Sequence, residues 1–170
     1  MTQGCLVWIT GLPAAGKSTL AAHLIERLRR EGVACCTLDS DLVRSALTPA
    51  LGYDDASRDA FYEMLASLGV LLAEQGLVVL VPATAHRRAY RDRARSHAPR
   101  FVEVWVDVPL EECRLRDSKG LYAGFAQGRA TSVPGEDVPY EPPASPEVVA
   151  RGGADATALE ALTALLVAKA

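Results

Sequence analysis

Four cysteines in 170 residues, Cys5, Cys35, Cys36 and Cys113, form no CxxC pair, and no histidine stands near them at a ligand spacing. A zinc site and a disulfide framework are therefore not expected, and the thiols read as small apolar residues in or beside strands. Basic residues are not in excess: the formal net charge is −3, against the field a general nucleic-acid binder relies on. Long apolar runs are missing too, so no membrane span is expected. The residues before the first apolar run, Met1 to Gly4, are too few for a signal peptide, and a cytoplasmic protein is the expectation. No repeat period is visible. With 49% hydrophobic and 23% charged residues, the composition fits one globular domain over residues 1–170.

Against these absences stands one motif. Gly11, Leu12, Pro13, Ala14, Ala15, Gly16, Lys17, Ser18 and Thr19 fit GxxxxGK[ST] and follow an apolar run, Cys5–Thr10. The pattern reads as a phosphate-binding P-loop: backbone N–H groups cradle ATP phosphates, Lys17 reaches the β/γ oxygens and the Ser18 hydroxyl ligates Mg²⁺. Leu20, Leu24 and Leu28 then recur at helical spacing with Ala21 and Ile25 beside them, and Gly32 stands where a left-handed residue ends a helix. Strand, motif and helix together point a helix N-terminus at phosphate.

Further along, residues 32–38 predict a second strand buried on both faces, ending in Asp39-Ser40-Asp41. A short helix from Leu42 to about Leu47 is expected, with Asp41 as N-cap and Pro49 beyond its end. Paired carboxylates at the carboxyl end of a strand lie where α/β sheets bind ligands, and Arg44, one turn on, can face the same crevice. A loop carries Tyr53, an aromatic able to stack on a flat ligand. A long helix follows, with Phe61, Met64, Leu65, Leu68, Leu71 and Leu72 as its apolar stripe and Gly76 as its stop.

Residues 77–81 predict a strand closed by Pro82. The next helical segment concentrates Arg87, Arg88, Arg91, Arg93 and Arg95, which read either as a solvated face or as Arg88 or Arg91 meeting phosphate; His86 and His97 read as surface residues. Strands at 101–106 and 147–150, a short helix around Cys113, and a final helix from Ala156 to Lys169 complete an alternating pattern. Alternation of this kind makes an α/β fold, a mainly parallel sheet flanked on both sides by helices. Between them, residues 117–146 read as a polar, Gly-rich and Pro-rich lid that closes over phosphates.

The segments resemble the adenylylsulfate kinase family of P-loop kinases over nearly the whole chain. Leu38-Asp39-Ser40-Asp41-Leu42-Val43-Arg44 resembles the family's LDGDxxR, and residues 101–110 resemble FVEVxVDxPL. Residues 116–122 resemble RDPKGLY, and residues 139–143 resemble PYEAP. The resemblance implies a P-loop NTPase-type three-layer sandwich that transfers the γ-phosphoryl of ATP to the 3′-hydroxyl of adenosine 5′-phosphosulfate (APS). It implies Asp41 as base or orienter of the acceptor hydroxyl, Lys17 on the transferring phosphoryl, and Ser18 and Asp39 near Mg²⁺. Arg44, Tyr53, Arg58, Phe61, Lys119, Leu121 and Val133 are implied substrate contacts, and a homodimer is implied as the assembly. Small molecules, without nucleic acid or membrane, are the expected partners.

The sequence departs from the family at four places. Phe61 stands where the family's GFSxxDRxEN segment has asparagine, and Val133 replaces the aromatic of its FTG segment. Ala85, in Thr84-Ala85-His86, replaces the serine of ISP, so direct transfer is the route that remains. Pro13 and Ala14 replace serine and glycine in the P-loop. Two other readings stay open at this point: a kinase of another nucleotide or hydroxylated metabolite, and a regulatory protein that uses ATP as a switch.

Overall fold

A computed structural model describes residues 4–49 and 51–167. Five strands, β1 (Cys5–Thr10), β2 (Cys35–Thr37), β3 (Val78–Pro82), β4 (Phe101–Val106) and β5 (Val148–Ala150), form one sheet in the order β2-β3-β1-β4-β5. Every pairing is parallel. Central β1 is wholly buried, and its period-2 alternation divides the core. Cys5, Val7 and Ile9 point to one side, where α1 (Lys17–Arg30) and α7 (Ala156–Val167) pack. Leu6 and Trp8 point to the other, against α3 (Asp55–Glu74) and the partnered α4 (Arg88–His97). Shorter helices are α2 (Ser40–Ala46), α5 (Leu110–Arg116) and α6 (Leu121–Ala126).

Several expectations need correction. β2 is the sheet edge, only three residues long and half-exposed, so it lacks the second neighbour that double-sided burial requires. The cap of α2 is Asp39, whose Oδ1 accepts from the amides of Asp41 (3.0 Å) and Leu42 (3.3 Å); Asp41 lies inside the first turn. On α3 the buried stripe is Phe61, Tyr62, Leu65, Ala66, Gly69 and Ala73, rotated from the expected one, and Leu71 is 53% exposed. Close helix–sheet approach sets this rotation: a Cβ on Gly69 would meet Leu6 Cδ1 at 2.7 Å. The arginine cluster is largely structural. Arg91 is buried, donates to Glu103 Oε1 (2.7 Å), the Ala85 carbonyl and the Glu141 carbonyl (2.7 Å), and does not line the cavity described below.

Gly32 and Gly76 take the positive φ their helix ends call for. The final helix is described to Val167, so Lys169 lies outside the described residues. None of the described helices is long and apolar enough to cross a membrane.

Candidate functional site

A cavity of about 1370 Å³ opens at the carboxyl ends of the strands. One end is the P-loop. Gly11 and Gly16 allow close backbone approach: a Cβ on Gly11 would lie 2.6 Å from the Val106 carbonyl oxygen, and one on Gly16 2.7 Å from the Gly153 nitrogen. Gly16, at φ 103, precedes α1, and no side chain caps that helix, so its first amides face the loop. Ala14 also takes a left-handed backbone, φ 62, which glycine adopts freely and alanine only at a cost.

Lys17 Nζ donates to the carbonyls of Gly11 (3.1 Å) and Leu12 (2.8 Å). Enclosure pushes its pKa down to about 8, against the opposing pull of Asp41 and Asp39. The Ser18 hydroxyl donates to Asp39 Oδ2 at 2.6 Å, joining a hydroxyl from the start of α1 to a carboxylate from the end of β2, a donor pair that suits Mg²⁺. Among the described residues no cluster of three His, Cys, Asp or Glu side chains could hold a metal by itself.

Beyond Gly16 the cavity continues along Arg151, Gly152, Gly153 and Ala154, the turn between β5 and α7, with Arg116 beside it. The turn presses on the P-loop, since a Cβ on Gly153 would meet Gly16 O at 2.8 Å. Arg116 Nη1 donates to the Ala15 carbonyl at 3.5 Å. This wall was not foreseen from the sequence; its signal was Gly152-Gly153, one residue beyond the last strand.

Asp41 stands between the two ends. Its carboxylate accepts a hydrogen bond from Lys119, and that contact raises the Lys119 pKa. Arg44 is buried, donates to the carbonyls of Leu51 (3.2 Å) and Gly52 (2.8 Å), and stacks on both Phe61 (3.8 Å to the ring centre) and Tyr53 (4.6 Å). Phe61 thus offers its ring to Arg44, and Tyr53, 58% exposed, keeps free surface at the mouth. Arg58 donates to the Ser132 carbonyl, and its Nη1 is buried with no partner among the described residues.

Asp41, Arg44, Tyr53, Arg58, Phe61, Lys119 and Leu121 all line this cavity. Val133 does not: it is 1% exposed and packs in the α1/α7 core, while Ser132 and Pro134 take the wall. Asp137 explains this turn, because its carboxylate accepts from the amides of Ser132 (2.8 Å) and Val133 (2.6 Å). His86, expected at the surface, is 3% exposed and lines the cavity. Part of the expected lid is tied to the body: Tyr140 hydroxyl lies 3.0 Å from Thr10 Oγ1, and the Glu141 amide donates to the His86 carbonyl at 2.8 Å.

Known proteins resemble this chain over most of its length. The adenylylsulphate kinase family model matches residues 3–151. The adenylyl-sulfate kinase of Rippkaea orientalis (strain PCC 8801 / RF-1) is 42% identical over 149 residues, 88% of this chain and 82% of that protein. That of Synechococcus sp. (strain JA-2-3B'a(2-13)) is 42% identical over 149 residues, 88% of this chain and 85% of its own length. The structure of the Mycobacterium tuberculosis APS kinase CysC in complex with AMPPNP and APS superposes with a TM-score of 0.89 at 35% identity, covering 97% of this chain and 99% of that one. The chain belongs to the adenylylsulphate kinase family.

Proposed function

We propose that this protein transfers the γ-phosphoryl of ATP to the 3′-hydroxyl of APS, giving 3′-phosphoadenosine 5′-phosphosulfate and ADP. The observation that carries the reading is Asp41, paired with Lys119 in the one cavity that also takes in the P-loop, Arg44 and Arg58. In-line phosphoryl transfer needs positioning and charge neutralisation more than covalent chemistry, and this arrangement supplies both.

In this reading the residues from Gly11 to Thr19 bind the ATP phosphates, and Lys17 neutralises charge on the transferring group. Ser18 and Asp39 would hold Mg²⁺, which would supply positive charge to offset that of the phosphates. Asp41 orients the acceptor hydroxyl and takes its proton, and Lys119 keeps that carboxylate ionised and aimed. Arg44 and Arg58 hold the acceptor, with Tyr53 and Leu121 at its flanks; Phe61 supports Arg44 rather than stacking on a base. Residues 1–170 act as one kinase domain, with residues 117–146 as the lid over the phosphates, held to the body through Tyr122, Val133 and residues 139–141. A homodimer, carried by the family resemblance, completes the proposal, and sedimentation equilibrium tests it.

Incubation of the purified protein with Mg-ATP and APS, followed by chromatography, tests the reaction. Equal amounts of ADP and the 3′-phosphorylated product are expected. ADP without that product removes the acceptor assignment. A second reading, another nucleotide or hydroxylated metabolite as acceptor, is favoured by Val133 lying in the core and Phe61 lying under Arg44; the same assay across such compounds tests it.

A further inference from the structure

His86 is unused by the reaction as described. It sits between β3 and α4, 3% exposed, on the cavity wall and edge-on to Tyr90 with ring centres 5.6 Å apart. Neither of its ring nitrogens meets a hydrogen-bond partner among the described residues. Near it Arg58, 6% exposed, spends Nη2 on the Ser132 carbonyl and leaves Nη1 buried and unpartnered among the described residues. A buried donor without an acceptor is unfavourable, and Arg58 Nη1, beside an imidazole on the wall of the same cavity, calls for a ligand with acceptor oxygens.

The local charge gives the ligand its sign. Nearby carboxylates are committed: Asp55 and Asp59 pair with Arg87, Asp59 also accepts from Tyr90, and Glu141 accepts from the Arg88 amide. Burial, with the positive fields of Arg58 and Arg87 against the weaker pull of Asp55 and Glu141, holds the His86 imidazole neutral, its pKa pushed down to about 4. A neutral ring has one N–H to donate, and the field around it favours an anion.

We propose that His86 and Arg58 Nη1 together seat the anionic tail of the acceptor, so that His86 selects a tailed nucleotide over the neutral nucleoside. This rests on the reading of the acceptor as APS. In Thr84-Ala85-His86 the histidine stands where the family's ISP segment has proline, a residue with no side-chain donor.

Steady-state kinetics of the wild type, His86→Asn and His86→Ala test the assignment, with adenosine as a competitive inhibitor. Loss of one hydrogen bond to a charged group is expected to raise the acceptor KM about tenfold. The maximal kcat, the KM for ATP and the inhibition by adenosine should stay within about twofold of wild type, a split that a collapsed pocket does not produce. An acceptor KM within about twofold of wild type in both variants overturns the role of His86, as does an equal loss of adenosine inhibition. A wild-type protein that makes no phosphorylated product from APS instead overturns the acceptor reading, and this inference with it.

Discussion

The two ends of the cavity are built on different plans. At the donor end, one run of nine consecutive residues, Gly11 to Thr19, builds the loop, and its geometry is local: Lys17 folds onto the carbonyls of Gly11 and Leu12 within its own motif. At the acceptor end, side chains from α2, α3, the β3–α4 loop and the lid meet only because the sheet and its crossovers bring them together. Backbone recognition tolerates changes of side chain, and Pro13 and Ala14 are two such changes. Side-chain recognition does not, and Phe61, Val133 and His86 each alter what the acceptor end presents.

The largest expected effect breaks the donor plan at its ammonium group. Lys17→Ala should lower kcat/KM at least ~10²-fold in steady-state assays, with the acceptor's binding little affected. Turnover within tenfold of wild type would show that the backbone alone suffices. The acceptor plan is more vulnerable through its core. Phe61 is fully buried beneath Arg44, so Phe61→Ala should cost about 3–5 kcal/mol of stability in urea melts and raise the acceptor KM. A loss under about 1 kcal/mol would mean that Arg44 is held by Leu51 and Gly52 instead.

The charge on Lys17 sharpens the comparison. Its pKa lies near 8, and bound phosphates favour the ammonium, so nucleotide binding raises that value. Affinity for ATP is therefore full below pH 8 and weakens as pH rises through it, by up to about tenfold per pH unit until the bound-state value is reached. Calorimetry near pH 8.5 should record proton uptake by the protein; binding that is flat from pH 7 to 10 would contradict it. The smallest effect concerns Ala14. Ala14→Gly should stabilise the protein by up to ~1 kcal/mol, because the relief at φ 62 exceeds glycine's entropic cost. A lower melting temperature would show that the loop carries no strain there.

The same division governs what the sequence discloses. The P-loop, the β1–α1 unit and the order of strands and helices are legible because contiguous patterns encode them, as Gly32 and Gly76 at their helix ends illustrate. Asp41, Arg44 and Arg58 are legible through family motifs, and they do meet in one cavity. What escapes depends on distant packing. Asp39 rather than Asp41 caps α2, since an extended residue just before the helix reaches its amides. His86 is hidden because its burial depends on Tyr90 and the strap around Glu141, and Val133 turns inward because Asp137 closes its turn. Arg91 resembles its exposed neighbours in sequence, and its ion pair with Glu103 and its bonds to the Ala85 and Glu141 carbonyls mark it as core.

Asp41 joins the two plans, and its replacement by asparagine tests the whole arrangement most directly. Calorimetry of Asp41→Asn with ATP and with APS, beside a single-turnover assay, separates binding from chemistry. Both affinities should remain within about threefold of wild type while the rate of phosphoryl transfer falls 10²–10⁴-fold, roughly what a positioned base contributes. Retention of more than half the wild-type rate, or a loss of ATP affinity as large as the loss of rate, would contradict the placement of Asp41 between donor and acceptor.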